Sequence, residues 1–293
     1  MPSQIELLKK YSLQVRGHLG QHLLIDPNMQ RKIVDLLDLQ PDDRVLEIGP
    51  GLGALTAEMF KRGLKKIWVV EKDERFANAL EKEFSVPGKK LEIFQGDILK
   101  TDLKKILSPG KRYKVVSNLP YYITAPILFH LIESKDLFSR AVFTMQKEVA
   151  ERLLASPGSK NYGRLTLGVR YSADVGHAFD ISRSCFTPQP EVDSSVVTLS
   201  FHSSDSLSSA KEDFLFHIIQ VAFSQRRKML MHLLSRDPKI AQDREHLIPI
   251  FESAGISPQA RGEELLLKDY LTLMEKLPLP ASSQKKRQSR KGE

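Results

Sequence analysis

Cysteine is almost absent from this chain of 293 residues: Cys185 stands alone. A single thiol excludes an internal disulfide framework and a cysteine-based zinc site, and it suits a reducing, cytoplasmic compartment. No metal is expected. Long apolar runs are missing too. None approaches the roughly 20 residues that a membrane helix needs, so no membrane partner is expected. The first 25 residues lack the charged-then-apolar layout of a secretory signal. They are also acid-poor, but from Gly20 onward the chain already reads as folded protein rather than as a targeting peptide. Acidic residues are outnumbered overall, 36 Asp and Glu against 44 Lys and Arg, for a net charge of +8. Polyanions are therefore the first partners to consider, although the same charge also serves solubility. What remains is 41% apolar and 27% charged, the composition of a soluble globular protein long enough for one large domain or two smaller ones.

Residues 1 to 19 mix Lys9, Lys10, Arg16 and His18 with scattered leucines, which suggests a basic arm against the domain surface. Asp26-Pro27 then makes a helix start, with Asp as cap and Pro in the first turn. Beyond it, strands are expected at 44–48, 66–70, 91–95 and 113–117, alternating with helices at 54–61 and about 73–84. This spacing implies βαβ units, right-handed crossovers and a mostly parallel sheet. Further on, a helix over 124–132, a strand over 141–145, a helix over 146–154 and a closing strand over 196–201 are expected. Residues 162–171 fit either helix or strand. The serine-rich stretch 202–210 reads as a linker, and 214–223, 229–234, 246–254 and 265–277 carry helical spacing. The expected organisation is α/β: a catalytic domain over 1–204, a small all-helical domain over 205–281, and a basic, disordered tail over 282–293.

Parallel strands all point one way, so the loops after the first four gather at one sheet edge and build one site. Gly49-Pro50-Gly51-Leu52-Gly53 lets backbone approach a ligand closely. Glu71, about 20 residues on, ends the second strand, where a carboxylate can accept from both hydroxyls of a ribose. Asp97, after the third strand, suits the amino group of a cofactor adenine, with Ile98 packing on the ring. The loop spacing is G-x-G-x-G rather than the G-x-G-x-x-G of dinucleotide binders, and Pro50 removes an amide that a pyrophosphate would want. The fourth strand delivers Asn118-Leu119-Pro120-Tyr121-Tyr122. Taken alone these residues make an ordinary strand-to-loop turn. Beside the other loops they offer an amide acceptor and a flat aromatic face for a heterocycle carrying an exocyclic amine. Methyl transfer from S-adenosylmethionine accounts for all four loops, because it depends chiefly on positioning a lone pair in line with the methyl group. The Asn118 carbonyl and the backbone carbonyl of Leu119 would each accept one amine hydrogen, and Tyr121 would stack on the base.

Seven segments in order then justify a family. Gly20-Gln21-His22-Leu23-Leu24, E-I-G-P-G-L-G from Glu47 to Gly53, N-L-P-Y-Y from Asn118 to Tyr122 and Q-K-E-V-A-E-R-L from Gln146 to Leu153 come first. Tyr162-Gly163-Arg164-Leu165, F-T-P-Q-P-E-V-D-S from Phe186 to Ser194 and F-S-Q-R-R-K from Phe223 to Lys228 complete them. Over about 16–277 the chain resembles the KsgA/RsmA family of small-subunit (16S) ribosomal RNA adenine dimethyltransferases. The resemblance implies a Rossmann-like class I methyltransferase domain, a helical C-terminal domain, S-adenosylmethionine as cofactor, and two adjacent adenosines near the 3' end of small-subunit rRNA as substrate. It implies a cofactor site of His22, Leu24, Gly49, Glu71, Asp97 and Asn118, with Gln21, Gly51 and Ile98 beside it. Asn118 and Tyr121 would hold the base, and Phe186, stiffened by the prolines that follow it, would present a second, exposed aromatic face. A lone Phe is more often core. Family members usually carry Asn where His22 stands, Phe where Leu23 stands, and Gly or Ala where Ser117 stands, so Ser117 is expected to narrow the floor of the site.

The same resemblance makes Arg226, Arg227 and Lys228, with Lys147, Arg152 and Arg164, candidates for RNA phosphate contact, although each alone reads better as a solvated helix face. Target adenines must leave any stack to be reached. The partner implied is rRNA within an immature 30S-type particle, bound by a monomer that takes part in subunit biogenesis. An Erm-type enzyme acting on large-subunit rRNA would share the fold, the N-L-P-Y region and the F-x-P-x-P turn. The F-S-Q-R-R-K stretch and the longer helical C-terminus favour the small-subunit reading. A nicotinamide enzyme is disfavoured by the loop spacing, and a purely binding assembly factor would share the surface but not need Asn118.

Overall fold

The computed structural model describes residues 2–15, 21–85, 87–88, 90–108, 110–202, 207–240 and 242–280. Arg16, His18 and Gly20, part of the expected linker and all of the expected tail at 282–293 lie outside the described residues. The chain divides into two compact units, Met1–Leu154 with Ser172–Ser203, and Ala155–Tyr171 with Ser204–Glu293.

The first unit is built on strands β1 (Leu23–Leu24), β2 (Val45–Ile48), β3 (Lys66–Glu71), β4 (Lys90–Gln95), β5 (Tyr113–Asn118), β6 (Phe138–Gln146), β7 (Ala173–Ile181), β8 (Phe186–Thr187) and β9 (Ser194–Phe201). Seven of them form one sheet in the order β4-β3-β2-β5-β6-β9-β7. Strands β2 to β6 run parallel, and β9 and β7 add antiparallel strands at one side. The central strands carry Val45, Leu46, Val69, Val115, Val116 and Val142 with almost no exposure, as expected of a sheet covered on both faces. The chain leaves β2 toward β3 and β4, then returns to add β5 on the other side. This reversal makes the carboxyl ends of β2 and β5 the switch point where ligands of such sheets bind.

Local chemistry fixes the helix starts around that edge. The Asp26 carboxylate accepts from the backbone of Asn28 and Met29 at 2.8 and 3.0 Å, opening helix Pro27–Asp35. Asp73 caps Glu74–Phe84 in the same way. Helix Ala54–Lys61 instead follows Gly53 at φ 76°, where an added Cβ would lie 2.5 Å from the Phe84 ring, so both backbone and packing demand glycine.

Two sequence expectations need correction here. Strand β7 was not anticipated: its alternation is broken by a bulge between His177 and Phe179, and Gly176 sits where a Cβ would meet Thr198 at 2.9 Å. Residues 155–171, placed in the first domain by a single cut at 204, belong to the second unit, because Ala155, Tyr162 and Leu167 are buried with Phe214, Ile218 and Tyr270. The ambiguous stretch is a helix, Arg164–Ser172. The second unit otherwise consists of helices Ser209–Ala222, Leu230–Leu234, Arg244–Ser253 and Leu267–Lys276 around that core. Among the described residues no helix is long and apolar enough to cross a membrane.

Candidate functional site

A cavity of about 590 Å³ opens at the carboxyl ends of β2, β3, β4 and β5, within the size range of small-molecule sites. Gln21, His22, Leu24, Gly49, Gly51 and Glu71 line it, and so do Asp97, Ile98 and Asn118. Every position expected to hold a cofactor thus meets at one place, although the loops are far apart in sequence. Leu119, Tyr121 and Phe186 do not line it.

At the glycine loop, Gly49 and Gly51 take φ of 62° and 56°. Space beside Gly49 is open: a Cβ there would meet nothing within 4 Å. Glu71 is buried, and its carboxylate accepts from the backbone of Gly51 at 3.1 Å and of Asp73 at 2.8 Å. Burial pushes its pKa up to about 7 despite those two donors. Each oxygen retains a lone pair, so the ribose role remains chemically available. Asp97 receives Lys72 Nζ at 2.9 Å and the Leu99 backbone at 3.0 Å, and the Lys72 ammonium holds its carboxyl below the usual range.

A second buried carboxyl, Glu47, also lines the cavity, and its role went unassigned in the sequence although it opens the E-I-G-P-G-L-G segment. The Thr56 hydroxyl donates to it. Burial, aided by the neighbouring Glu71 charge, pushes its pKa up to about 8. An acid at the last inward position of an otherwise apolar strand was the available signal. Among the described residues no group of three or more His, Cys, Asp or Glu is arranged to hold a metal ion.

At the other end, the Asn118 Nδ2 donates to the His22 backbone carbonyl at 2.7 Å. A carbonyl can only accept, so the amide orientation is fixed and Oδ1 is the free end. That oxygen is buried without a hydrogen-bond partner among the described residues. Such a group carries a desolvation cost of about 1–3 kcal/mol until a donor reaches it. Leu119 donates its backbone N–H to Thr144 at 2.9 Å, which locks the turn onto β6.

Two expectations fail at this end, those for Phe186 and Ser117. Phe186 is no exposed platform: its residue pairs with Leu24 between β8 and β1, and its ring is 3% exposed in the core with Ile33, Val34 and Val196. A short strand pairing turns the ring inward, and the prolines that follow stiffen the chain without exposing it. One face of Tyr121 is taken by the chain itself. Its ring stacks on His22, with centroids 5.3 Å apart and planes 23° from parallel, and its hydroxyl lies 2.8 Å from Ser194 Oγ. Ser117 is fully buried and donates to the Ile48 carbonyl at 2.6 Å, tying β5 to β2 rather than narrowing the cavity.

The basic candidates also divide. Arg226 is a structural staple: it pairs with Glu263 and donates to the Ser159 carbonyl at 2.6 Å. Lys147 pairs with Asp180 at 2.8 Å, and Arg152 is also engaged by a partner. Arg164, Arg227 and Lys228 are exposed.

The chain matches the family model described as ribosomal RNA adenine dimethylase over residues 12–277. It is 38% identical over 279 residues to the ribosomal RNA small subunit methyltransferase A of Bacillus mycoides (strain KBAB4), covering 94% of this chain and 95% of that protein. Among solved structures it is similar to a dimethyladenosine transferase from Plasmodium falciparum, with a TM-score of 0.74 and 29% identity over 86% of this chain and 95% of that one. It is also similar to the 23S rRNA methyltransferase ErmE, with a TM-score of 0.64 and 25% identity over 87% and 99% of the two chains.

Proposed function

Because this chain belongs to the ribosomal RNA adenine dimethylase family, we propose that it converts two adjacent adenosines near the 3' end of small-subunit rRNA to N6,N6-dimethyladenosine with S-adenosylmethionine as methyl donor. The observation that carries the adenine reading is the buried Oδ1 of Asn118, without a partner among the described residues, beside a cavity with an acidic wall and an open glycine face. When bound, S-adenosylmethionine supplies an electrophilic methyl group. The residues present fit it: Glu71 has lone pairs left for ribose hydroxyls, Asp97 and Ile98 suit an adenine, and the space beside Gly49 admits close approach.

An aromatic amine is a weak nucleophile because its lone pair is delocalised into the ring. Asn118 Oδ1 accepts one amine hydrogen and the Leu119 carbonyl the other, which favours a pyramidal nitrogen with its lone pair free to point at the methyl group. The methylated, positively charged amine then sheds its proton readily, so no strong general base is needed. Exposed Arg164, Arg227 and Lys228 supply phosphate contacts. The finer setting we propose is an immature 30S-type particle, met in the cytoplasm by a monomer of this chain. Small-subunit action is favoured over the large-subunit alternative by the 38% identity to a small-subunit methyltransferase, against 25% to ErmE.

Primer extension across small-subunit rRNA tests this in a strain lacking the gene and complemented with wild type or Asn118→Ala. Wild type should restore a stop near the 3' end. Asn118→Ala should lower the methylation rate about 10²–10³-fold, the usual cost of one transition-state contact, while particle binding stays within a few fold. Methylation of naked large-subunit rRNA, with small-subunit particles untouched, would reverse the assignment.

A further inference from the structure

The segment that reads in the sequence as a basic arm contains a helix, Gln4–Lys10, and this helix carries a polar side chain into the wall of the cavity. We propose that Gln4 is a further cofactor-binding residue, its amide oxygen accepting from the α-ammonium of the amino-acid arm of S-adenosylmethionine. The inference deepens the cofactor reading given above and rests on it.

Gln4 is only 7% exposed, yet it lines the cavity. Its Nε2 donates to the Leu24 backbone carbonyl, which also accepts from Gln30 Nε2 at 2.7 Å. A carbonyl can only accept, so the amide orientation is fixed and Oε1 is the end left to receive a donor. With two amides on it, the Leu24 carbonyl has both lone pairs engaged. The glutamine oxygen is therefore the acceptor that this corner offers a ligand.

The helix behind it is fastened at several points. Ser3 and Glu6 form a capping box at its start. Leu7, itself buried, packs with Leu23, Leu52, Phe76 and Ala79. At the far end Glu83 accepts from the Tyr11 hydroxyl at 2.6 Å and pairs with Lys10. Leu52 belongs to the glycine loop, and Leu23 Cδ2 lies 3.0 Å from where a Cβ on Gly51 would stand. Gln4 thus enters the cavity beside the glycine loop, on an element held by packing rather than on a free end.

Strand order indicates which part of the ligand meets it. Asp97 and Glu71, suited to adenine and ribose, stand at the ends of β4 and β3, and Asn118, where the methyl group must be delivered, ends β5. Between β3 and β5 lies β2, which runs into the glycine loop. A sulfonium has three substituents. With the adenosyl group over β4 and β3 and the methyl group toward β5, the amino-acid arm is left the space over β2 and the glycine loop, the corner that Gln4 enters. The ammonium on that arm brings only N–H donors, and a neutral amide oxygen receives one without any change of protonation in the protein.

Calorimetry of the full-length protein with two ligands tests this: S-adenosylmethionine, and 5'-methylthioadenosine, which keeps the adenosyl group and the sulfur but has no amino-acid arm. Gln4→Ala should weaken S-adenosylmethionine about five- to twentyfold, as for one lost hydrogen bond to a charged group, and leave 5'-methylthioadenosine within about twofold of wild type. Gln4→Leu, which keeps the bulk and loses the acceptor, should give the same split, so a folding defect in one variant does not decide the matter. Unchanged affinity for S-adenosylmethionine in a folded variant overturns the proposal. So does an equal loss for both ligands, which would make Gln4 a packing residue that acts by holding the helix to the wall. Wild-type protein that binds neither ligand would refute the cofactor reading itself, whereas wild-type protein that binds both with no preference for S-adenosylmethionine would overturn the role of Gln4 alone.

Discussion

At the glycine-loop end of the cavity the carboxylate acceptors are already occupied. Glu71 takes two backbone amides, Asp97 takes Lys72 and Leu99, and Glu47 takes Thr56. At the N-L-P-Y end the reverse holds: the Asn118 amide oxygen is buried without a partner among the described residues, and one face of Tyr121 stacks on the chain's own histidine. The first end is organised in advance and needs only a ligand with donors for the remaining lone pairs. The second keeps an unpaid desolvation cost that is relieved when an amine arrives. The same contact that satisfies this acceptor also orients the amine, which is where a methyl transfer to a weak nucleophile gains most.

Phe186 offers the largest way to break that comparison. If its ring is core rather than platform, Phe186→Ala should cost about 3–5 kcal/mol of unfolding free energy, the range for an aromatic removed from a packed interior. Chemical denaturation without ligand reads this directly. A loss under about 1 kcal/mol, together with a collapse of methylation, would make Phe186 an exposed base-binding face. The N-L-P-Y end would then be as well prepared as the other.

The uneven legibility of the two ends has a physical origin. The cofactor end follows from short-range rules: a parallel sheet aims consecutive strand ends at one edge, so Gly49, Glu71, Asp97 and Asn118 could be brought together from alternation alone. Helices 54–61 and 124–132 begin and end where the apolar spacing places them. The base end depends on contacts between distant segments. His22 meets Pro188 across 166 positions, and Leu24 pairs with Phe186 in strands only two residues long, too short for any periodicity to show. Arg226 illustrates the same limit in the second unit. As a sequence feature it is one of three adjacent cations, and only the fold shows it bound to Glu263 and the carbonyl of Ser159 while its neighbours are exposed.

A smaller effect sharpens the comparison from the cofactor side. Glu47 and Glu71 have pKa values raised to about 8 and about 7, chiefly by burial. An acid whose pKa rises on folding binds its proton more readily in the native state, so the stability it confers is full below its unfolded value and is lost as pH rises through the folded one. The ligand-free protein should therefore lose stability as pH rises from 5 to 8, read as a fall in unfolding midpoint. Glu47→Gln keeps an acceptor for Thr56 and removes one titration, and should flatten the slope. A slope of the same steepness in that variant would place the cost elsewhere. Binding of S-adenosylmethionine should strengthen as pH rises past 7, because an ionised Glu71 accepts from two hydroxyls and a protonated one must spend an oxygen as donor.

The smallest effect concerns Gly49, where the loop leaves space that no protein atom fills. The residue has φ 62°, so Gly49→Ala pays for a left-handed backbone, about 1 kcal/mol, but its methyl group meets no neighbour within 4 Å. Unfolding of the ligand-free variant should register that modest loss and nothing more. Affinity for S-adenosylmethionine should fall further than stability does, because the added methyl group projects where the ligand is expected to approach the backbone. Calorimetry set beside denaturation separates the two. If stability and affinity fell by equal amounts, the space beside Gly49 would be irrelevant to the ligand, and the cofactor end would owe its shape to loop packing alone.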